Sequence, residues 1–78
     1  MEVFTPAPGG GLRYWHVRRQ WRPGRPWLVT ARSRDELFEG EAAGWRASRE
    51  LMVRVRTEIE TTGRPQSLRG AGDRVPSD

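Results

Sequence analysis

Between Leu12 and Arg32 bulky apolar and polar side chains alternate almost one by one, whereas between Phe38 and Ile59 the apolar positions recur every third or fourth residue. The first rhythm belongs to strands, whose side chains point to opposite faces. The second belongs to a helix with one apolar stripe. "LRYWHVRRQW" (Leu12 to Trp21) and "PWLVTAR" (Pro26 to Arg32) are rich in aromatic and β-branched residues and predict two strands. Between them "RPGR" places Pro23 and Gly24 at the two central turn positions. Proline holds φ near −65° and glycine accepts the positive φ that a type II turn requires. The expected unit is a hairpin with a loop of about five residues.

Pairing Trp21 with Trp27 sets Arg19 opposite Val29 and Val17 opposite Ala31. One face then collects Trp15, Val17, Trp21, Trp27, Val29 and Ala31, with Arg19 as its only polar member. The other collects Tyr14, His16, Arg18, Gln20, Thr30 and Arg32, with Leu12 and Leu28. The first face, tryptophans included, is expected to form the core. The second carries hydrogen-bond donors, an imidazole and an aromatic ring, and no acid.

A helix is expected across roughly 34–62. Ser33 and Glu36 have the spacing of a capping box, and Asp35, Glu36 and Glu39 would sit at the positive end of the dipole. Phe38, Ala42, Trp45, Leu51, Met52, Val55 and Ile59 follow helical spacing. Glu50–Arg54, Arg54–Glu58 and Arg56–Glu60 are i,i+4 pairs. Gly63 and Pro65 mark the stop. A rival pattern exists, because "LMVRVRTEIET" also alternates and would make residues 51–60 a strand in a ββαβ fold. The lack of a turn residue between Ala47 and Leu51 favours the helix. Gly40 and Gly44, each costing about 1 kcal/mol in a helix, imply either a close backbone approach or a break into a short turn and a longer second piece. The prolines and glycines of "TPAPGGG" suggest a flexible lead over 1–11, and the aperiodic end a disordered tail over 63–78. The expectation is thus α+β: a single small ββα domain over 12–62, with ββαβ as the alternative.

Composition narrows this further. A chain of 78 residues buries only about 60% of its unfolded surface, so each of the four Trp counts as bulk. With no Cys there is neither a disulfide nor a cysteine zinc site, which fits a cytoplasmic address. No apolar run reaches the ~18 residues of a membrane span and no h-region opens the chain, so a soluble intracellular protein is expected. The net charge of +4 is uneven: residues 1–32 hold six Arg against Glu2 alone, and residues 33–62 hold five Arg against seven acids. All fourteen basic residues are Arg, whose planar fork suits phosphate and guanine, although a GC-rich genome produces the same bias.

Two function classes compete. As a small basic nucleic-acid-binding protein, the chain would take duplex DNA on the polar face. Tyr14, His16, Arg18, Gln20 and Arg32 would lie near bases or sugars, and Arg13, Arg22 and Arg25 at phosphates. As an inhibitor or adaptor, it would bind a protein, or a second copy of itself, through its helix: either the acidic "DELFEGE" (Asp35 to Glu41) or the apolar strip of Phe38, Trp45, Met52, Val55 and Ile59, whose end around Met52 to Ile59 a short hairpin leaves uncovered. Catalysis is not expected: His16 is the only histidine, no serine has a base beside it in sequence, and no cofactor or metal set is visible.

The order of "YWHVRRQWRPGRPWLVTARSRDEL", an aromatic strand, a basic turn, a second strand and a helix opening with Ser and acids, resembles the arm-binding domains at the N-terminus of tyrosine recombinases over roughly residues 12–60. It is a resemblance of pattern without a specific motif. The third strand of that fold is not evident, and antitoxin-like and phage-borne inhibitor proteins match the same outline.

Overall fold

The computed structural model describes residues 2–6, 14–34 and 36–70. Its elements are β1 (Glu2–Pro6), β2 (Tyr14–Arg22), β3 (Arg25–Ser33), β4 (Glu36–Ala42), α1 (Trp45–Thr62) and β5 (Arg69–Gly70). The fold is α+β, an antiparallel five-stranded sheet in the order β1-β2-β3-β4-β5 packed with one helix. The expected two-stranded hairpin is therefore only the centre of a wider sheet, and the ββαβ alternative falls because residues 51–60 are helical.

The hairpin register agrees with the sequence pattern, with Arg19 opposite Val29 and Val17 opposite Ala31. The loop is tighter than five residues. Arg22 pairs with Arg25, Gly24 has φ +69°, and a bulge leaves Trp21 opposite both Pro26 and Trp27. The larger correction concerns Glu36–Ala42, which is a strand, so Ser33 and Glu36 pair across β3 and β4 instead of capping a helix. The helix begins only at Trp45, after Gly44. It ends where expected, with Gly63 at φ +85° and its N–H donating to Ile59 O.

Strand formation at β4 follows from alternation. Phe38, Gly40 and Ala42 stand opposite Ala31, Val29 and Trp27 on the helix side. Leu37, Glu39 and Glu41 take the other side. Gly40 leaves space there: a Cβ would lie 2.8 Å from Leu68 Cδ2, so the end of that side chain would have to shift. Leu68 is buried, as is Pro65, so the segment after the helix folds back and closes the sheet edge. Glu58 holds this return in place. Its carboxylate accepts from the Ser67 N–H at 2.7 Å and from the Ser67 hydroxyl. The expected lead and tail are corrected in the same way, since Glu2–Pro6 pairs with β2 and Arg69–Gly70 with β4. Residues 7–13 and 71–78 lie outside the described residues.

The core joins Trp15, Val17, Val29 and Ala31 of the sheet to Met52, Val55 and Ile59 of α1 and to Leu68. Phe38 meets the Trp15 ring edge-on, with centroids 5.7 Å apart. Gly40→Ala is expected to destabilise the fold by about 1–2 kcal/mol through overpacking against Leu68. In Leu68→Ala the same change should cost less. Equal effects in the two backgrounds, measured by urea unfolding, would show that the contact is unimportant.

Candidate nucleic-acid interface

The helix covers one face of the sheet, and the strand alternation that sends Val17, Val29 and Phe38 toward it sends a different set to the other side. There His16 stands opposite Arg32, Arg18 opposite Thr30 and Gln20 opposite Leu28. Across the next ladder Arg32 stands opposite Leu37. His16, Arg18, Gln20, Thr30, Arg32 and Leu37 together line a depression of about 200 Å³. Arg18 and Arg32 are exposed and make no ion pair among the described residues. They are diagonal neighbours on adjacent strands, so their Cβ atoms lie roughly 7–8 Å apart. Tyr14, at the start of β2, is 54% exposed on the same side. Four of the expected site residues are thus brought together, with Leu37 as a wall that the helical reading of β4 had concealed.

The face is not free of acids. β4 brings Glu39 opposite Thr30 and Glu41 opposite Leu28, toward the turn end of the hairpin. The larger concavity, about 820 Å³ at the β4–β5 edge, contains both Glu39 and Glu41 beside Arg22, Arg25 and Arg69. That mixture suits a polyanion less well than the cluster around Arg18 and Arg32.

The expected phosphate contacts divide. Arg22 is committed within the chain: its Nε and Nη2 donate to Pro26 O at 3.1 and 2.9 Å, and Nη2 also donates to Glu41 Oε2 at 2.9 Å. It braces the turn and is not available to a ligand. Arg25 is exposed beside it with no ion pair among the described residues. Arg13 lies outside the described residues.

Arg19, the misfit on the apolar face, has a structural task. It is 9% exposed, and its guanidinium carbon lies 5.2 Å from the Trp27 ring centroid and 4.7 Å from that of Trp45. Nη1 donates to Trp45 O at 3.2 Å and to Ser48 Oγ at 3.0 Å. A buried cation is thereby held by two aromatic faces and two neutral acceptors, and it ties the start of α1 to β2. Such an arrangement contributes up to ~2 kcal/mol through the rings alone when desolvated. Arg19→Ala is expected to destabilise by about 2–4 kcal/mol, and Arg19→Met to restore at least half of that by refilling the space. Thermal unfolding of both variants checks this. Equal losses would point to the charge, and not the volume, as the essential element.

The helix strip fares differently from its expectation. Met52, Val55 and Ile59 are buried against the chain's own sheet, and Phe38 is a half-buried β4 residue packed on the same core. An 18-residue helix spans about 27 Å and a nine-residue strand about 30 Å, so no uncovered strip remains. Trp45 alone of that set is exposed, at 55%. The tryptophans likewise do not all serve as core: Trp15 is fully buried, Trp27 half-buried, and Trp21 is 61% exposed.

Among the described residues no helix is long and apolar enough to cross a membrane, and no three metal-binding side chains come together. No protein-family model, curated protein or solved structure matches the chain.

Proposed function

We propose that this chain binds nucleic acid, duplex DNA in particular, with the helix-free face of its sheet. The observation that carries the reading is the convergence of His16, Arg18, Gln20 and Arg32 around one depression on the face away from the helix, with both arginines exposed and in no ion pair among the described residues. The central β2–β3 ribbon is of a size that enters a major groove. There Arg18 and Gln20 reach base edges, Arg32 and His16 lie beside them, and Arg25 at the turn meets a phosphate. The role is that of a small regulatory binding module, and not of a catalyst.

Amide shift mapping tests the placement. On titration with a short duplex, the signals of Tyr14 to Gln20 and of Thr30 to Arg32 should move, while those on the outer side of α1, such as Arg54 and Thr57, stay in place. Movement confined to the helix would overturn the reading. A protein-binding inhibitor acting through Met52, Val55 and Ile59 is the alternative, and those side chains are inaccessible in the folded chain.

A further inference from the structure

The two ends of the open face differ. At the β2–β3 turn, Arg22 is committed to Pro26 and Glu41, and Arg25 shares its concavity with Glu39 and Glu41. At the other end β2 begins with the exposed Tyr14, and β3 passes into β4 after the exposed Arg32. Glu36 opens β4 there, but it shares the helix side with Phe38 and pairs with Arg64 at 3.7 Å.

Arg34 occupies this second turn. Ser33 stands opposite Glu36, so the connection is only Arg34 and Asp35. Asp35 lies outside the described residues. Arg34 is exposed and has φ +46°. The other described residues at positive φ, Gly24, Gly44 and Gly63, are all glycines. In any other residue this conformation crowds Cβ against the backbone, and short hairpin loops usually place Gly, Asn or Asp there. Arginine is a poor choice for the turn, and it makes no ion pair among the described residues that would account for it. An unfavourable backbone conformation kept by an exposed cation points to a use for the side chain outside the chain. Arg34 follows Arg32 by two residues, about 7 Å along the strand. The register that sets His16 opposite Arg32, carried two residues further, brings Tyr14 level with Arg34.

We infer that Arg34 is a phosphate contact, so that the backbone of the nucleic acid crosses the open face at the β3–β4 turn, beside Tyr14 and Arg32. Arg25, with Glu39 and Glu41 near it, is the weaker contact at the far end. The inference rests on the nucleic-acid reading and adds to it an anchor outside the depression around Arg18 and Arg32.

The test is fluorescence anisotropy with a short duplex of mixed sequence across a salt series. Arg34→Gly should lower affinity about fivefold at low salt and flatten the slope of log K against log salt by about 0.9, the loss of one phosphate contact. Its urea midpoint should stay level or rise, because glycine accepts the positive φ. Arg34→Lys keeps the charge and should bind within about twofold of the native chain. The double variant Arg34→Gly/Asp35→Asn has the native net charge and should still bind as weakly as Arg34→Gly. Arg25→Ala should lose less than Arg34→Gly. A lower urea midpoint in Arg34→Gly would give Arg34 a structural role. Recovery of affinity in the Arg34/Asp35 double variant would reduce the effect to net charge. Either result overturns the inference, as does an equal or larger loss in Arg25→Ala. Unchanged affinity in Arg34→Gly, with weak binding by the Arg18→Ala/Arg32→Ala variant, overturns it and leaves the nucleic-acid reading standing. Native affinity in both removes that reading and this contact together.

Discussion

Duplex DNA affinity should fall roughly 100-fold when Arg18 and Arg32 are both replaced by Ala, at about 1.4 kcal/mol for each arginine. The two side chains rise from neighbouring strands on the open face, are exposed, and have no internal role that the substitution would disturb. The measurement that separates their tasks is fluorescence anisotropy across a salt series. If each neutralises one phosphate, the slope of log K against log salt flattens by about 1.8 in the double variant. If Arg18 reads a base edge, Arg18→Ala weakens a preferred site by about 1–3 kcal/mol and random DNA by much less. Arg22→Ala should leave the slope unchanged, because Arg22 already bonds Pro26 and Glu41. Wild-type affinity and slope in the Arg18/Arg32 double variant would end the nucleic-acid reading.

Trp15→Ala should destabilise the chain by about 3–5 kcal/mol, a large share of its total stability. Trp15 is fully buried, sits at the meeting point of β2 and Phe38, and belongs to a core of few residues. Removing a buried Trp costs about 3–5 kcal/mol, while a chain of this length has roughly 4–12 kcal/mol in total. Trp15→Phe keeps a ring at the site and should cost about half as much. Urea unfolding followed by circular dichroism checks both. A loss under about 1 kcal/mol in the Ala variant would mean that the Trp15 site collapses to refill its space, a behaviour close-packed cores rarely show.

The parts of the fold that were legible in the sequence are those determined by near neighbours. Pro23 and Gly24 set the turn, and the alternation from Trp15 to Ala31 sets the hairpin register. Gly63 sets the helix end. "ELFEGEA" misled because it satisfies both periods: Phe38, Ala42 and Trp45 read as a helix stripe, while Leu37, Glu39 and Glu41 against Phe38, Gly40 and Ala42 read as a strand. The capping spacing of Ser33 and Glu36 tipped the balance wrongly. The segment is a strand because it pairs with β3 along its whole length and with β5 at Phe38 and Glu39, and Gly40 leaves room there for Leu68, tertiary contacts no local pattern reveals. β1 was hidden for a similar reason. Its five residues lie beside a proline- and glycine-rich stretch, and their strand character comes from pairing with β2. At the site, the arginines were visible as a face, but the fate of each was not. Arg22 looks like Arg18 in sequence, and only the positions of Pro26 and Glu41 commit it within the chain, whereas alternation already set Arg19 on the apolar face and left open only the Trp27 and Trp45 rings that hold it there.

The return of the chain at Ser67 has a consequence for solubility. β5 covers the β4 edge with two residues, opposite Phe38 and Glu39. Its hold depends on the buried Pro65 and Leu68, on the Arg64–Glu36 ion pair and on the Glu58 carboxylate. Short, peripheral elements of this kind open far more often than the sheet they protect. Each opening presents the backbone of β4 as an unpaired edge, the usual template for strand-to-strand aggregation. Glu58→Ala should therefore shorten the storage life of concentrated solutions well before it lowers the melting temperature. Light scattering over days, compared with a single melt, would reveal the difference.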